Sequence, residues 1–96
     1  MRILITYDVN TATPEGERRL RRVAQACVDH GRRVQKSVFE CSLSEALLEK
    51  LRRRLLAEMD ASVDSLRIYR LPEAVEPVRE VYGVKHDVDF NAPLVL

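Results

Sequence analysis

The stretch Ile3-Leu4-Ile5-Thr6-Tyr7-Asp8-Val9-Asn10 decides the fold reading of this 96-residue chain. Residues 2–8 read as a strand, with Ile3, Ile5 and Tyr7 facing one way and Leu4, Thr6 and Asp8 the other. Apolar side chains on both sides predict a central strand with both faces at least partly covered. The run ends in a carboxylate, which does little for a strand. A strand delivers its last side chain to one fixed place, so Asp8 is the first candidate for chemistry. A hard oxygen ligand suits Mg²⁺, which takes one or two protein carboxylates and keeps several waters. Position alone equally suits a loop cap, with Asp8 accepting from the backbone N–H of Asn10 or Thr11, and that is the commoner role of such a residue.

Working outward, residues 9–13 are a polar loop and Thr13-Pro14-Glu15 is a helix start: hydroxyl N-cap, Pro at the first helical position, acid near the positive end. Leu20, Val23, Ala24, Cys27 and Val28 give one buried stripe, and Gly31 is expected to stop the helix. Residues 33–41 read as extended with imperfect alternation. A bulge, or two short strands meeting at a bend near Lys36-Ser37, explains it. Ser42-Leu43-Ser44-Glu45 resembles a capping box, with Ser44 as the alternative cap. Leu47, Leu48, Leu51, Leu55 and Met59 form the second apolar stripe. Residues 65–71 are a further strand, ended by Pro72.

Glu76 to Tyr82 is read as an edge strand and Lys85 to Ala92 as loop. The apolar end Pro93-Leu94-Val95-Leu96 is read as a short strand on a sheet edge of this chain or a partner. The order predicts an α+β sandwich in the ferredoxin-like βαββαβ arrangement, an antiparallel sheet with two helices on one face. The expected division is a domain over residues 1–82 and a tail over 83–96. A sheet face left bare by the helices, with apolar residues on it, points to a homodimer packed sheet to sheet.

Composition fits one globular domain. The formal net charge is +1, but residues 1–59 hold 12 Lys/Arg against 8 Asp/Glu, and residues 60–96 hold 4 against 7. Arg18, Arg19, Arg21, Arg22, Arg32, Arg33 and Lys36 concentrate the excess. Such a cluster attracts polyanions, and phosphate contact is the functional reading. A solvated helix face partnered by Glu15, Glu17 and Asp29 is the alternative. Tyr7 and Phe39 lie beside basic residues and suit base stacking; core packing is the more frequent role, and the favoured one for Phe39. Cys27 and Cys41 sit in apolar patterns as small buried hydrophobes, which fits a reducing cytoplasm. No apolar run approaches the roughly 20 residues of a membrane span, and no signal peptide is expected. His30 and His86 have no metal-ligand pattern around them. Phosphate-loop, dinucleotide and nucleophile-elbow motifs are absent from the sequence, which argues against nucleotide-dependent and acyl-transfer enzymes.

Thr6-Tyr7-Asp8-Val9-Asn10-Thr11, the helix from Arg22-Val23-Ala24 to Cys27, Asp29-His30-Gly31, Arg33-Val34-Gln35-Lys36-Ser37-Val38-Phe39-Glu40-Cys41 and Asp64-Ser65-Leu66-Arg67-Ile68-Tyr69 together resemble CRISPR-associated protein two. This is the smaller of the two core adaptation proteins. The resemblance covers residues 1–71 and is looser in the tail; the opening and the Phe-Glu-Cys ending look most like the type I-C branch. It implies a ferredoxin-like homodimer that works in spacer acquisition with the CRISPR integrase protein. It also implies a Mg²⁺-dependent (or Mn²⁺-dependent) endonuclease acting on single-stranded RNA or double-stranded DNA, although some members act only as a DNA-binding scaffold. Asp8 matches the family's metal-binding Asp. Tyr7, Arg22, Arg33 and Phe39 fall at positions that affect nuclease activity in relatives. The expected site is therefore Asp8 as metal ligand and catalytic residue with Tyr7 beside it, and Arg18, Arg19, Arg22, Arg33 and Phe39 on nucleic acid. The rivals are a non-catalytic scaffold along protospacer DNA and, more remotely, a small toxin-like ribonuclease.

Overall fold

Six elements follow in the order β1 (Arg2–Asp8), α1 (Pro14–His30), β2 (Gly31–Gln35), β3 (Val38–Ser42), α2 (Glu45–Glu58) and β4 (Ser65–Leu71). The computed structural model describes residues 1–72 and 79–83. The strands form one sheet in the order β2-β3-β1-β4, with every neighbouring pair antiparallel. This is the ferredoxin-like arrangement predicted from the sequence, with β1 central.

The alternation in β1 sets the layers. Ile3 and Ile5 are fully buried and Tyr7 nearly so, in one core with Phe39 and Cys41 of β3, Val23, Ala26 and Cys27 of α1, and Leu48, Leu51 and Leu55 of α2. Both helices therefore cover the same sheet face. Full burial of each large aliphatic residue contributes about 1.5–3 kcal/mol. The other face carries Leu4 and Thr6, with Glu40 and Val38 opposite them on β3 and Tyr69 and Arg67 opposite them on β4. Tyr69 remains 43% exposed there.

Local chemistry accounts for the helix boundaries. The Thr13 hydroxyl accepts from Gly16 N at 3.1 Å, Pro14 opens α1, and Glu15 and Glu17 occupy its first turn. Of the predicted α1 stripe, Val23 and Cys27 are buried while Leu20, Ala24 and Val28 pack only partly against the core, and Ala26, outside the predicted stripe, is fully buried. Gly31 does not end the helix by a left-handed turn: it is extended (φ −158°, ψ −167°) and begins β2. Its missing side chain matters for packing, because a Cβ there would lie 2.2 Å from Cys41 Sγ. β2 and β3 are two short strands joined at Lys36-Ser37, with a register shift between Arg33 and Gln35. Both devices considered for residues 33–41 are thus present.

Ser44, not Ser42, caps α2, accepting from Leu47 N at 3.2 Å; Ser42 completes β3. Leu47 departs from the predicted stripe at 45% exposure, since it lies in the first turn and off the row made by Leu48, Leu51 and Leu55. Met59 is the C-cap and packs partly against the core. Within the expected edge strand, residues 79–82 are not in a strand, though Arg79 donates to Glu40 Oε2 at 2.7 Å. The rest of that segment, the loop to Ala92 and the C-terminal strand lie outside the described residues.

Candidate active site

β1 carries Tyr7 into the core and Asp8 out of it. Asp8 is the last residue of the strand, paired with Ser65 of β4 and exposed on the helix-free face. Among the described residues its carboxylate has neither a hydrogen bond nor an ion pair. The loop-cap role is filled by others. Asn10 N donates to Asp64 Oδ1 at 2.9 Å, and Asn10 Oδ1 accepts from Ala12 N at 2.9 Å. Val9, between Asp8 and Asn10, is buried.

Asp64 was not singled out from sequence, yet it organises this end of the sheet. Its side chain is fully buried. It accepts from Arg19 Nε at 2.9 Å and Arg19 Nη2 at 3.3 Å, and from the backbone N–H groups of Asn10 and Asp60, each at 2.9 Å. Arg19 above all, aided by those two backbone donors, holds the Asp64 carboxyl below the ordinary carboxylate range. Arg19 Nη2 also donates to Asn10 O at 3.4 Å. A carboxylate directly preceding a strand was the available signal. Its partners lie too far along the chain to be read from sequence.

Of the arginines expected on nucleic acid, Arg19 is thus committed to an internal pair. Arg18 meets Glu15 at 3.5 Å and Arg22 meets Glu58 at 3.6 Å, both with more than half of the arginine side chain exposed. Exposed pairs of this kind are worth little and yield readily to a phosphate. Arg21 and Arg32 are exposed as well.

Tyr7, Arg33 and Phe39 meet inside the protein rather than at Asp8. The Tyr7 and Phe39 rings stack at 6.1 Å and 23°. Arg33 places its guanidinium carbon 5.1 Å from the Phe39 ring centroid, a cation–π contact. Phe39 is fully buried, so in this fold its ring offers no surface to a base. The Tyr7 hydroxyl donates to Lys36 O at 3.3 Å, and burial raises its pKa above the ordinary phenol value. Arg33 Nε is buried without a hydrogen-bond partner among the described residues. His30 Nδ1 lies 2.9 Å from Ala26 O, a local helix-end contact.

Among the described residues no three His, Cys, Asp or Glu side chains come together as a metal site. One chain thus offers a divalent ion the Asp8 carboxylate and room for water. That set fits a hydrated Mg²⁺ held by one or two carboxylates, and does not fit a closed structural site.

Comparison with known proteins places these features in context. The family model described as "CRISPR associated protein Cas2" matches residues 1–76. The chain is 59% identical over 96 residues to the CRISPR-associated endoribonuclease Cas2 1 of Moorella thermoacetica, covering 100% of both chains. It is 45% identical over 95 residues to the CRISPR-associated endonuclease Cas2 of Halalkalibacterium halodurans, covering 99% of each. The crystal structure of Streptococcus pyogenes Cas2 superposes with a TM-score of 0.79 at 48% identity, over 86% of this chain and 100% of that one.

Proposed function

This chain belongs to the Cas2 family of CRISPR-associated proteins, and on that premise we propose that it is a homodimeric, divalent-metal-dependent endonuclease of CRISPR spacer acquisition. The single observation that carries the reading is Asp8: an exposed carboxylate at the end of the central strand, with no partner among the described residues. Relatives named endoribonuclease and endonuclease supply the reaction class, hydrolysis of a phosphodiester in RNA or double-stranded DNA.

One carboxylate is a sparse donor set, and a two-fold dimer doubles it. The helix-free sheet face, with Leu4, Thr6, Val38 and Tyr69, is the surface for that dimer, since a sheet needs its second apolar face covered. Asp8 and its counterpart would hold Mg²⁺ or Mn²⁺ between them. A bound divalent ion supplies charge for the phosphate and a more acidic water as nucleophile. Arg18 and Arg22 hold backbone phosphates, and the buried Tyr7–Phe39–Arg33 cluster keeps the β1 end rigid. The CRISPR integrase is the assembly partner, and the type I-C branch the subtype. Among the described residues no helix is long and apolar enough to cross a membrane.

A second reading, the non-catalytic scaffold on protospacer DNA, draws support from Arg18 and Arg22, whose exposed side chains can hold phosphates whether or not Asp8 binds a metal. Cleavage of labelled RNA and duplex DNA in Mg²⁺ or EDTA, by the native protein and Asp8→Ala, separates the two. The nuclease reading expects Mg²⁺-dependent cutting that Asp8→Ala abolishes. Binding without cutting by both proteins establishes the scaffold instead. A monomer in sedimentation removes the shared-metal site.

A further inference from the structure

We propose that Asp64 is the positioning residue of the Asp8 centre: with Arg19 it clamps the turn that follows Asp8, and so fixes where that carboxylate meets its metal. The inference rests on the reading of Asp8 as metal ligand given above and adds the group that sets its geometry.

Asp64 directly precedes Ser65, the strand partner of Asp8, so it stands at the same end of the sheet. A carboxylate beside a metal-binding carboxylate invites assignment as a second ligand. Its hydrogen bonding argues otherwise. Oδ1 accepts from Asn10 N and Arg19 Nη2, and Oδ2 from Arg19 Nε and Asp60 N. Two carboxylate oxygens offer about four acceptor sites in all. All are used, and the side chain is fully buried.

The four bonds reach three separate pieces of chain. Asn10 belongs to the β1–α1 turn, Arg19 to α1, and Asp60 to the α2–β4 turn. Arg19 closes the circuit by donating to Asn10 O, so Asn10 is held through both its N–H and its carbonyl. The Asn10 carbonyl is also backed by Gly16, where even one Cβ would come within 2.0 Å of it. Asn10 lies two residues beyond Asp8, with the buried Val9 between. Direction and reach of the Asp8 carboxylate therefore depend on a turn whose anchor is Asp64. Groups that orient a metal ligand typically change metal affinity or activity by about 10–100-fold when removed.

The test is Mn²⁺ binding by the full chain without nucleic acid, read from the electron paramagnetic resonance signal of free Mn²⁺. Asp64→Asn, Arg19→Gln, the double variant, Asp8→Ala and the remote control Arg53→Gln are compared. Thermal unfolding identifies the folded variants, and hydrogen exchange at the Asn10 amide reports the turn. The expected result is about tenfold weaker binding for Asp64→Asn with faster Asn10 exchange, as for loss of an outer-shell partner. Arg19→Gln should move both readouts the same way, the double variant should be no worse than Asp64→Asn, and Arg53→Gln should match the native protein. Folded Asp64→Asn that binds Mn²⁺ as the native protein does overturns the proposal. So does loss of binding in Asp64→Asn with none in Arg19→Gln, which makes Asp64 a ligand. If Asp64→Asn fails to fold, Arg19→Gln decides, because it leaves both backbone donors on Asp64. Unchanged binding in Asp8→Ala instead overturns the underlying metal reading, and is distinguished by the native response of that variant.

Discussion

Tyr7 and Asp8 are consecutive residues of β1 whose side chains share no environment. The Tyr7 ring is packed 6.1 Å from Phe39 beneath the helices, and the Asp8 carboxylate stands exposed on the opposite sheet face. Any effect of Tyr7 on cleavage must therefore pass through the strand. Its hydroxyl is already engaged with Lys36 O, and its pKa is raised by burial, so it is a neutral phenol at physiological pH.

Replacing Tyr7 by Phe tests this indirect role. The variant keeps the stacking ring and loses one hydrogen bond, which costs about 0.5–1.5 kcal/mol of stability. Cleavage by the folded protein should stay close to native. Tyr7→Ala removes the ring as well and should cost about 3–5 kcal/mol, as large aromatic truncations do. Urea unfolding and single-turnover cleavage measure the two effects. A collapse of the chemical step in a fully folded Tyr7→Phe would place the hydroxyl in the reaction.

Arg19 and Arg22 face different duties within one turn of α1. Arg22 is largely exposed in its pair with Glu58, whereas Arg19 is committed to Asp64. Duplex binding in the Asp8→Ala background, without metal, isolates phosphate contact from cleavage. Arg22→Ala should reduce the slope of log affinity against log salt by about 0.9, the value for one lost phosphate contact. Arg19→Gln should leave that slope unchanged. Equal slopes in the native and Arg22→Ala proteins would remove Arg22 from the interface.

Gly16 sits in the first turn of α1 against the turn after Asp8. Alanine is ordinarily the better helix former by about 1 kcal/mol. Here its Cβ would lie 2.0 Å from Asn10 O and 3.2 Å from Thr11 Cα, both backbone atoms. Gly16→Ala should thus destabilise the protein, by the roughly 1–3 kcal/mol typical of overpacking. Amide shifts at Val9 and Asn10 should move with it. A gain in melting temperature would show that the turn yields without strain.

Cys27 and Cys41 are free and buried in the core. Burial, reinforced by Cys41, pushes the Cys27 thiol up to about 12, and burial pushes Cys41 up to about 11. The thiolate is the reactive form, so both should resist alkylation. Iodoacetamide labelling at mild alkaline pH should follow global opening and accelerate in urea in step with unfolding. Rapid labelling of the native protein would mean that α1 opens locally.

Much of the fold was legible because its signals are local. Thr13-Pro14-Glu15 marked the α1 start through chemistry confined to one turn, and the alternation in residues 2–8 assigned Ile3 and Asp8 to opposite faces without any partner strand in view. Gly31 misled because a glycine after a helix usually marks a left-handed cap; the contact that requires it is Cys41, ten residues on and across a hairpin. Leu47 fitted the second apolar stripe but lies at the margin of the buried row, where first-turn geometry decides exposure. Asp8 was legible as a candidate and no further. Setting aside the cap role needed Asp64, which accepts from Asn10 N in its place across 54 residues of sequence. Long-range pairing of that kind leaves no periodic trace.

The ion pairs also predict how stability depends on pH. Arg19 lowers the Asp64 pKa, Arg54 and Gln25 lower that of Asp29, and Arg70 lowers that of Glu45. Unfolded carboxyls titrate near 3.9 for Asp and 4.3 for Glu, roughly. Folded values below these mean that the native state binds fewer protons than the unfolded one. Their stabilisation is therefore fully present above about pH 5 and is lost as pH falls through the folded values. Asp29 and Glu45 are substantially exposed and screened by salt, whereas the Asp64 side chain is buried. Urea unfolding of the native protein between neutral pH and pH 3 should show a stability loss that persists at high salt. Asp64→Asn, which carries no titrating carboxyl at the clamp, should be less stable at neutral pH and show a shallower decline on acidification. Parallel declines in the two proteins would assign the acid sensitivity to the exposed pairs and leave the clamp electrostatically silent.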